Sequence, residues 1–513
     1  MSRRMFFPAG IILVTLIFAV LSALSLYSQS IRLDESQSLW IATKSVPGVV
    51  QFTAENTGTP LYNLLLHFWV QVFGTTTLST RSLSFLFFVL TLPAVYLFAR
   101  EASDSRVGFL TVVLFALSPF VLWFSNETQM YTLFTLVTAV NHYYFLRLFN
   151  TEGKRGRLGF FLSSAAGFFT HYFFIFLVIS QGIFLLIKFV SEFPRQGVFS
   201  FWSLRKYFQT DGRMVWSFIY LESAAFLVFL PWVFYVAGFG FTASLQPAVP
   251  RPTLLNILQT LFSFVFGFQN PALQALALSL WPLLVIFLFF AFTSRRQIPL
   301  RAGTYFVLVT FLPILLVFAA SYIGPIFLSR YLIFVIPTMF FLIAWTILNY
   351  SRRLSSAVIA GLLVVMVGLL IYQDASATTP VKENYRQVST YLNTKVTPRD
   401  IVAVSAPFTV YPIEYYYLGP AKIVTIPYWN LSGSGPVPAF SLNGLTTQVA
   451  AYKAVYSRIF LVLSYDQGYQ QTIQNYFDKN YQLLAVRNFR PGIEVRVYRL
   501  RYDIPLSVTA QGF

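Results

Sequence analysis

Long apolar runs alternate with short polar connections over the first 373 residues of the chain. Eleven of these runs are long enough to cross roughly 30 Å of hydrocarbon. Backbone polar groups find no water in lipid, so runs of this length must close their hydrogen bonds as helices. They lie near residues 8–28, 80–99, 107–124, 129–148, 158–173, 174–190, 214–236, 272–292, 302–321, 329–349 and 354–373. The pattern predicts a polytopic α-helical membrane protein with about eleven transmembrane helices.

The tail, residues 374–513, has shorter apolar runs and a higher density of charge. Helix-like segments alternate there with β-rich runs, which is typical of a small α/β domain. The helix-like segments are Glu383–Asn393 and Gly468–Phe477, and the strand-like ones are Ile401–Val404, Arg458–Leu463, Tyr481–Val486 and Ile493–Tyr498. The tail contains neither a GxGxxG motif nor a P-loop, so no nucleotide site is predicted. We therefore divide the chain into a transmembrane domain, 1–373, and a soluble domain, 374–513.

Two of the predicted connections between spans are long. The first, 29–79, contains Leu61, Leu64, Leu65, Phe68, Trp69 and Val72 at helical spacing, which predicts a helix lying along the membrane surface. The second, 237–271, contains three prolines and then an apolar helix-like piece. We expect this second connection to form a lid or a re-entrant element.

Composition and charge support this interpretation and fix an orientation. The chain is 56% hydrophobic and 11% charged, with a mean hydropathy of +0.64, whereas soluble proteins average about 25% charged residues. With the N-terminus inside, 18 Lys and Arg residues fall on cytoplasmic connections and 5 on outer ones. This asymmetry follows the positive-inside rule. It predicts a multi-pass protein of the cell (plasma or inner) membrane with a cytoplasmic N-terminus and an extracytoplasmic tail.

The same distribution narrows the range of partners. The net charge of +18 is explained largely by topology, so nucleic acid is not a predicted partner, and membrane lipids are. Cysteine is absent, which excludes a disulfide framework and thiolate chemistry. The three histidines are scattered without metal-ligand spacing.

An acidic pair, Asp34 and Glu35, directly follows the first apolar run in a chain with only 18 acidic residues. One interpretation is that the pair consists of solvated charges at a helix N-terminus, where the dipole favours them. The other uses the outer-side cations Arg32, Lys44 and Arg81, which would bind a lipid phosphate while a carboxylate takes a proton from an acceptor. A metal ion would have Asp34 and Glu35 as ligands, but no third outer ligand is evident. No metal or other cofactor is therefore predicted.

Four more polar residues fall on the predicted outer side. Arg81 and Arg330 begin spans, Glu127 lies in a short turn, and His171 marks a break between two spans. Each has a structural alternative: a snorkelling arginine, a charge at a helix end or a packed histidine. Glu222 falls in the inner half of a span, where an acid is a functional candidate by default. Its depth separates it from the others, so we expect a structural partner or access from the cytoplasm.

Several short motifs occur in an order that resembles the C-type (GT-C) membrane glycosyltransferases, and within them the protein O-mannosyltransferase and lipid A aminoarabinose transferase-like group. The motifs are Leu33-Asp34-Glu35, Gly58-Thr59-Pro60-Leu61-Tyr62, Thr80-Arg81-Ser82-Leu83-Ser84, Leu117-Ser118-Pro119, Ser125-Asn126-Glu127-Thr128-Gln129-Met130-Tyr131, Thr170-His171-Tyr172-Phe173, Ser329-Arg330-Tyr331-Leu332 and Lys382-Glu383-Asn384-Tyr385-Arg386. The resemblance covers the whole membrane region and the start of the tail.

The resemblance implies a GT-C fold and a polyprenyl-phosphate sugar donor, such as a sugar on undecaprenyl phosphate. It implies that Asp34 is the catalytic base with Glu35 beside it, and that Arg81 engages the donor phosphate, for which Arg330 is a second candidate. The residues expected to bind substrate are Tyr62, Glu127, Tyr131, His171 and Tyr172. The sequence differs from the family's motifs at two points, which bear on sugar and acceptor preference. Gly58-Thr59-Pro60 replaces a His-Pro-Pro run, and Gln129 stands where an arginine is common.

The function that we predict is an inverting transfer of a sugar to an extracytoplasmic glycan, lipid or protein. Two other classes stay open. A lipid-linked glycan transporter or scramblase would show charges near the bilayer midplane and internal repeats. A glycan ligase with a pyrophosphate-linked donor would need more outer-side cations than this chain has.

Overall fold

The computed structural model describes residues 29–150, 154–192, 213–239, 250–268, 300–375, 382–430, 437–489 and 492–501, with a few isolated positions outside these ranges. The chain divides into two compact units. We call Gly58–Gly238 with Ala248–Pro380 the helical unit, and Ser28–Thr57 with Val381–Phe513 the sheet unit.

The helical unit contains the long apolar helices. In chain order its helices are α3 (Pro60–Phe73), α4 (Thr77–Ala102), α5 (Ser105–Ala116), α6 (Pro119–Ser125), α7 (Tyr131–Asn150), α8 (Lys154–Thr170), α9 (Phe174–Glu192), α10 (Arg213–Gly238), α11 (Leu254–Phe266), α12 (Leu300–Ala320), α13 (Ile336–Leu348) and α14 (Arg352–Ala375). A 3₁₀ helix, Ser329–Val335, leads into α13. The amphipathic run after Pro60 is a helix, as the spacing of its apolar residues predicts.

Among the described residues, six helices are long and apolar enough to cross a membrane, and a bent pair would make a seventh. The six are Thr77–Ala102, Phe174–Ser191, Met214–Gly238, Gly303–Ala320, Ser329–Leu348 and Arg352–Gln373. The runs predicted at 129–148 and 158–173 form α7 and α8, which are not among the six. The run at 8–28 and most of 272–292 lie outside the described residues. The predicted membrane class is confirmed, and the count of eleven stays a prediction.

The run predicted as one span near 107–124 is bent. Helices α5 and α6 meet at an angle of 64° around Leu117-Ser118-Pro119. Proline disfavours helical backbone in the residue before it and cannot donate to a preceding turn. The Ser118 hydroxyl then accepts from the backbone N of Val121, which caps the new helix. This bend directs α6 into the turn that carries Glu127.

The sheet unit has a five-stranded sheet in the order β2-β1-β3-β5-β4. Strands β1, β2 and β3 are parallel, while β5 runs antiparallel to both β3 and β4. The strands are β1 (Asp400–Ser405), β2 (Lys422–Thr425), β3 (Arg458–Leu463), β4 (Gln482–Phe489) and β5 (Ile493–Arg499). Its helices are α1 (Leu33–Ala42), α2 (Val46–Glu55), α15 (Tyr385–Lys395), α16 (Val410–Tyr416), α17 (Leu442–Val455) and α18 (Gln470–Asn480).

Both faces of the central strands are covered. Val402 and Val404 of β1 pack into one hydrophobic cluster, and Ile401 and Ala403 pack into another on the opposite face. A strand buried on both faces is a near-continuous apolar run, as the β1 sequence is. The four predicted strands are present. Strand β2 and helices α16 and α17 were not predicted.

Helices α1 and α2 pack within the sheet unit rather than standing as an isolated loop. Leu33 at the start of α1 joins a buried cluster with Ala406, Phe408 and Val410, which follow β1. The division at residue 373 that the hydropathy suggests stays a prediction. The compact units differ from it by grouping Ser28–Thr57 with the tail.

Candidate active site

The acidic pair opens helix α1, because Asp34 and Glu35 both lie in its first turn. The first backbone N–H groups of a helix have no partner inside the helix, and negative charge is favoured there. One Glu35 carboxylate oxygen accepts from the backbone N of Arg32 at 2.9 Å. Part of the pair is thus used to begin the helix, as the structural interpretation of the sequence expected.

The two carboxylates nevertheless have different surroundings. Glu35 Oε2 lies 3.3 Å from Lys382 Nζ, and both side chains are completely buried. Asp34, one residue away, is only partly buried. A buried ion pair is held strongly, because removing one partner leaves an uncompensated charge. Glu35 is therefore held by its partners within the fold, whereas Asp34 keeps part of its surface exposed.

Hydrogen bonds between backbone N–H groups and side-chain hydroxyls hold the segment before α1 against the start of α15 and the end of α16. The backbone N of Ile31 donates to the hydroxyl of Tyr416 at 2.8 Å. The backbone N of Arg386 donates to the hydroxyl of Ser30 at 3.2 Å. These contacts join residues more than 350 positions apart in the sequence, so the first turn of α1 is positioned by the tail.

Asp34 belongs to a group of polar side chains that we call the acidic cluster. Its members are Arg32, Asp34, Glu383 and Tyr465. Arg32 Nε is 3.4 Å from Glu383 Oε2, and the Tyr465 hydroxyl donates to Glu383 Oε1. Burial raises the pKa of Tyr465, and the charges of Glu383 and, more weakly, Asp34 raise it further. The acidic cluster thus combines two carboxylates, one guanidinium and one phenol.

The acidic cluster lies where the strand order of the sheet reverses. The chain leaves β1 for β2 on one side, and β3 lies on the other side of β1. The loops after β1 and β3 are tied together, because Ala406 N donates to Ser464 O and Ser464 N donates to Ser405 O. In open sheets with parallel strands, ligands bind beyond the carboxyl ends of the strands at such a point. Tyr465 directly follows Ser464 there.

In the helical unit, Arg81 lies on α4 and is 3% exposed. One turn further along the same helix, the Ser84 hydroxyl is 2.8 Å from the Tyr62 hydroxyl of α3 and donates to the carbonyl of Gln129 at 3.3 Å. The helix that carries Arg81 is thus linked both to Tyr62 and to the turn after α6. The structure brings together Tyr62, Ser84 and the Glu127 turn, which are separated by 22 or more positions in the sequence.

Glu127 is held inside its turn. Its carboxylate accepts from Trp123 Nε1 at 2.9 Å, and its carbonyl accepts from Gln129 N at 2.7 Å. The ring of Tyr131, at the start of α7, lies 4.9 Å from the ring of Phe124. Glu127 and Tyr131 are each 2% exposed. The acid is therefore a buried group with a defined orientation rather than a solvated charge at a helix end.

His171 and Arg330 are brought together through Tyr331. The His171 ring stacks on Phe134 of α7 at 4.9 Å and lies 5.2 Å from the ring of Tyr331. The guanidinium carbon of Arg330 is 5.5 Å from the same Tyr331 ring. Helix α8 ends at Thr170 and α9 begins at Phe174, so the predicted break at His171 is confirmed.

Tyr172 has a different environment from His171. It is 37% exposed, and its hydroxyl donates to the carbonyl of Gly58 at 3.0 Å. Thr59 Oγ1 donates to the carbonyl of Thr170 at 2.6 Å. These contacts fasten the segment before α3 to the break between α8 and α9. No pattern in the sequence indicates this contact of Tyr172.

Glu222 on α10 takes part in a buried network of neutral side chains. The Ser164 hydroxyl donates to Glu222 Oε1 at 2.6 Å, and Asn141 Nδ2 donates to the Ser164 hydroxyl at 3.0 Å. Gln181 Nε2 donates to Asn141 Oδ1 at 2.8 Å. The predicted structural partner of Glu222 is thus Ser164.

Sequence reasoning missed the part that Lys382, Glu383 and Tyr465 play beside the acidic pair. The available signal was an adjacent Lys and Glu at the start of the tail, in a chain that has few acids. Within the ranges that the structure describes, no group of three or more His, Asp or Glu side chains is arranged to hold a metal ion.

Residues 57–235 match a family model described as dolichyl-phosphate-mannose-protein mannosyltransferase. The fold is similar to that of ArnT from Cupriavidus metallidurans in the apo state, with a TM-score of 0.60 at 12% identity over 96% of this chain and 98% of that one. The same protein bound to undecaprenyl phosphate gives a TM-score of 0.60 at 13% identity, with the same two coverages.

A third similar structure is an oligosaccharyltransferase from Archaeoglobus fulgidus in the apo form. It gives a TM-score of 0.50 at 12% identity, over 90% of this chain and 70% of that one. No curated protein matches the sequence. The family match and these fold likenesses confirm the resemblance that the motifs suggested.

Proposed function

We propose that the chain is a membrane glycosyltransferase that transfers a sugar from a polyprenyl-phosphate donor to an extracytoplasmic acceptor, with inversion; the family match over residues 57–235 and the fold similarity to ArnT support this class. The observation that carries this proposal is the contrast between Asp34 and Glu35, which leaves one partly exposed carboxylate fixed at a helix N-terminus. The structurally similar ArnT that was solved with undecaprenyl phosphate supports the choice of donor.

In the proposed reaction, Asp34 takes the proton of an acceptor hydroxyl or amine as that group attacks the anomeric carbon. The bond between this carbon and the phosphate oxygen breaks, and its electron pair leaves with the polyprenyl phosphate on the opposite face. The leaving group changes from a phosphodiester with one negative charge to a monoester approaching two. Cations that bind it therefore stabilise the transition state more than the ground state.

Arg81 and Arg330 are the proposed cations. A guanidinium offers two parallel donors to a phosphate, which an ammonium does not. Tyr62 and Glu127 belong to the group linked through Ser84 to the Arg81 helix, and we assign them to substrate binding. We assign His171, Tyr172 and Tyr131 to the same task. The outer-face location of these residues, in the cell membrane, is part of the proposal.

The decisive experiment incubates purified protein with a panel of polyprenyl-phosphate sugars and measures the polyprenyl phosphate released. We expect Asp34→Asn to lower turnover by about 10²–10⁴-fold, the usual contribution of a general base, while donor binding is retained.

Asp104→Asn is the matched control for this experiment. Asp104 caps helix α5 by accepting from the backbone N of Arg106 and of Val107, and asparagine is an equally good cap. The control should therefore release polyprenyl phosphate at the wild-type rate. Wild-type turnover in Asp34→Asn would remove Asp34 from the mechanism. If the wild-type protein moves a lipid-linked glycan across the bilayer of lipid vesicles without releasing polyprenyl phosphate, the protein is a transporter instead.

A further inference from the structure

We propose that Glu383 is a positioning residue for Asp34, and that through Glu383 and Tyr465 the C-terminal domain is part of the catalytic apparatus. This inference rests on the proposed function in one respect, namely that Asp34 is the base. It assigns a role to the tail, for which the motifs suggested none.

The first argument is that the second carboxylate of the open site comes from residue 383 rather than from residue 35. The side chain of Glu35 is fully buried against Lys382 and also binds the backbone of Arg32. The side chain of Glu383 is 17% exposed, and that of its partner Arg32 is 26% exposed. An acceptor can approach the second pair of side chains and not the first.

The second argument concerns the adjacent residues Lys382 and Glu383. Lys382 neutralises the buried Glu35, while Glu383 binds the guanidinium of Arg32 at the solvent-facing side. The two residues therefore hold α1 at two points, one on each side of Asp34 in the sequence. Such a double attachment fixes both the position and the rotation of the first helical turn, and so the direction of the Asp34 side chain.

The third argument is the backbone of Tyr465. Its φ is +53°, in the left-handed region that residues with a Cβ rarely adopt. Unfavourable backbone of this kind persists where the surroundings impose it, and it is concentrated at functional sites. Here it lies at the reversal of the strand order, and the Tyr465 hydroxyl binds the Glu383 carboxylate. Tyr465 therefore fixes the rotamer of Glu383.

The groups that face one another across the acidic cluster are Arg32, Asp34, Glu383, Tyr465 and, behind them, Tyr385, which is buried and hydrogen-bonded to Ser464. Glu383 acts on Asp34 through Arg32 and Tyr465, by holding their side chains in place. We therefore expect Glu383 to affect the rate of the chemical step and not the binding of the donor.

The first test measures steady-state kinetics of the full-length protein with the donor that the panel identifies. Glu383→Gln and Tyr465→Phe should each lower kcat by about tenfold, since small misplacements of a reacting group have effects of this order or larger. The KM for the donor and the Tm should stay at wild-type values. The double variant should lose less kcat than the product of the two single losses, because Glu383 and Tyr465 act through one shared hydrogen bond.

Glu383→Asp should recover part of the lost kcat. Glu494→Gln is the control, because Glu494 is a partly buried acid of the same domain that is paired with Arg496 instead. An unchanged kcat in Glu383→Gln, or a loss of kcat that comes only with a lower Tm, would overturn the inference.

The second test does not depend on turnover. The phenol of 3-fluorotyrosine introduced in place of Tyr465 can be titrated by ¹⁹F NMR in the full-length protein. Glu383→Gln should lower the pH of its ionisation, because the negative charge of the neighbour is lost and the remaining amide oxygen is a weaker acceptor for the neutral phenol. Asp34→Asn should lower that pH by a smaller amount.

A resonance that does not respond to Glu383→Gln would overturn the inference even in an active enzyme. If the titration of the ¹⁹F resonance responds to Glu383→Gln but the wild-type protein turns over no donor, the proposed function is wrong. The contact between Glu383 and Tyr465 is still confirmed in that case. The two failures are therefore distinguishable.

Discussion

Asp34 and Glu222 are acids in two different regions of the molecule, and the chemistry of their neighbours differs. Asp34 lies beside Arg32, Glu383 and Tyr465, which are charged or ionisable and partly exposed. Glu222 is 6% exposed and binds the hydroxyl of Ser164, which in turn accepts from the amide of Asn141. A carboxylate that a substrate can reach needs charged partners and a path to solvent, whereas one that only joins helices needs neither. The comparison separates the acid that we propose as the base from an acid with a structural role.

The largest effect on stability is expected from Lys382→Met. The change leaves the Glu35 carboxylate buried without its counter-charge, which typically costs about 3–5 kcal/mol of the free energy of unfolding. Thermal unfolding of the full-length protein would show a lower Tm than wild type.

Adding Glu35→Leu to Lys382→Met should restore much of the lost stability. Both side chains of the pair are then apolar, and no buried carboxylate is left without a counter-charge. Lys453→Met, an exposed lysine near the end of α17, is the control and should leave the Tm unchanged. Equal Tm values for Lys382→Met and wild type would mean that the Glu35 pair does not hold α1, which would remove the distinction between Asp34 and Glu35.

The next largest effect is expected from Arg81→Lys. Arg81 is buried on α4, and a lysine at this depth keeps the charge but loses the parallel donors that fit a phosphate. We expect kcat to fall by about 10²-fold, the order found when one donor to a developing charge is removed.

Arg106→Lys, an exposed arginine at the start of α5, should leave kcat unchanged and serves as the matched control. If Arg81→Lys retains full activity, Arg81 does not bind the phosphate through two parallel N–H donors. The phosphate would then have to be bound by other residues.

The smallest effect is expected from Glu222→Gln. The amide oxygen still accepts from Ser164, so the Tm and the turnover of folded protein should stay close to wild type. Glu222→Leu removes the acceptor and leaves the buried Ser164 hydroxyl without it, at a cost of about 1–3 kcal/mol of stability. Its kcat per folded molecule should remain that of wild type. A specific loss of kcat in Glu222→Gln would make Glu222 a second reactive acid and end the contrast with Asp34.

Periodicity within a single segment predicted its element well. The 3.6-residue spacing after Pro60 gives α3, and the apolar runs at 401–404 and 458–463 give β1 and β3, whose burial on both faces accounts for their continuous hydrophobicity. Strand β2 was missed because it has only four residues, with an exposed lysine at its start.

Contacts between distant segments could not be predicted from any local pattern. Glu35 and Lys382 are separated by 347 positions, and nothing near either residue indicates the other. The difference between Asp34 and Glu35 depends on that pairing, so no local pattern distinguishes the two residues, and only the family resemblance pointed to Asp34 as the base. The bend at Ser118-Pro119 has a local signal, but a hydropathy window averages across it.

Because α1 depends on the tail, the proposed base can be positioned only late in synthesis of the chain. Leu33 needs the buried surface of Ala406 and Phe408, and Glu35 needs the ammonium of Lys382. A ribosome makes the proposed base within the first 34 residues, but the groups that orient it emerge some 350 residues later. A nascent or truncated chain that ends before residue 382 would contain every predicted span and still lack an ordered base. On the proposed mechanism, catalytic activity therefore requires the last quarter of the chain.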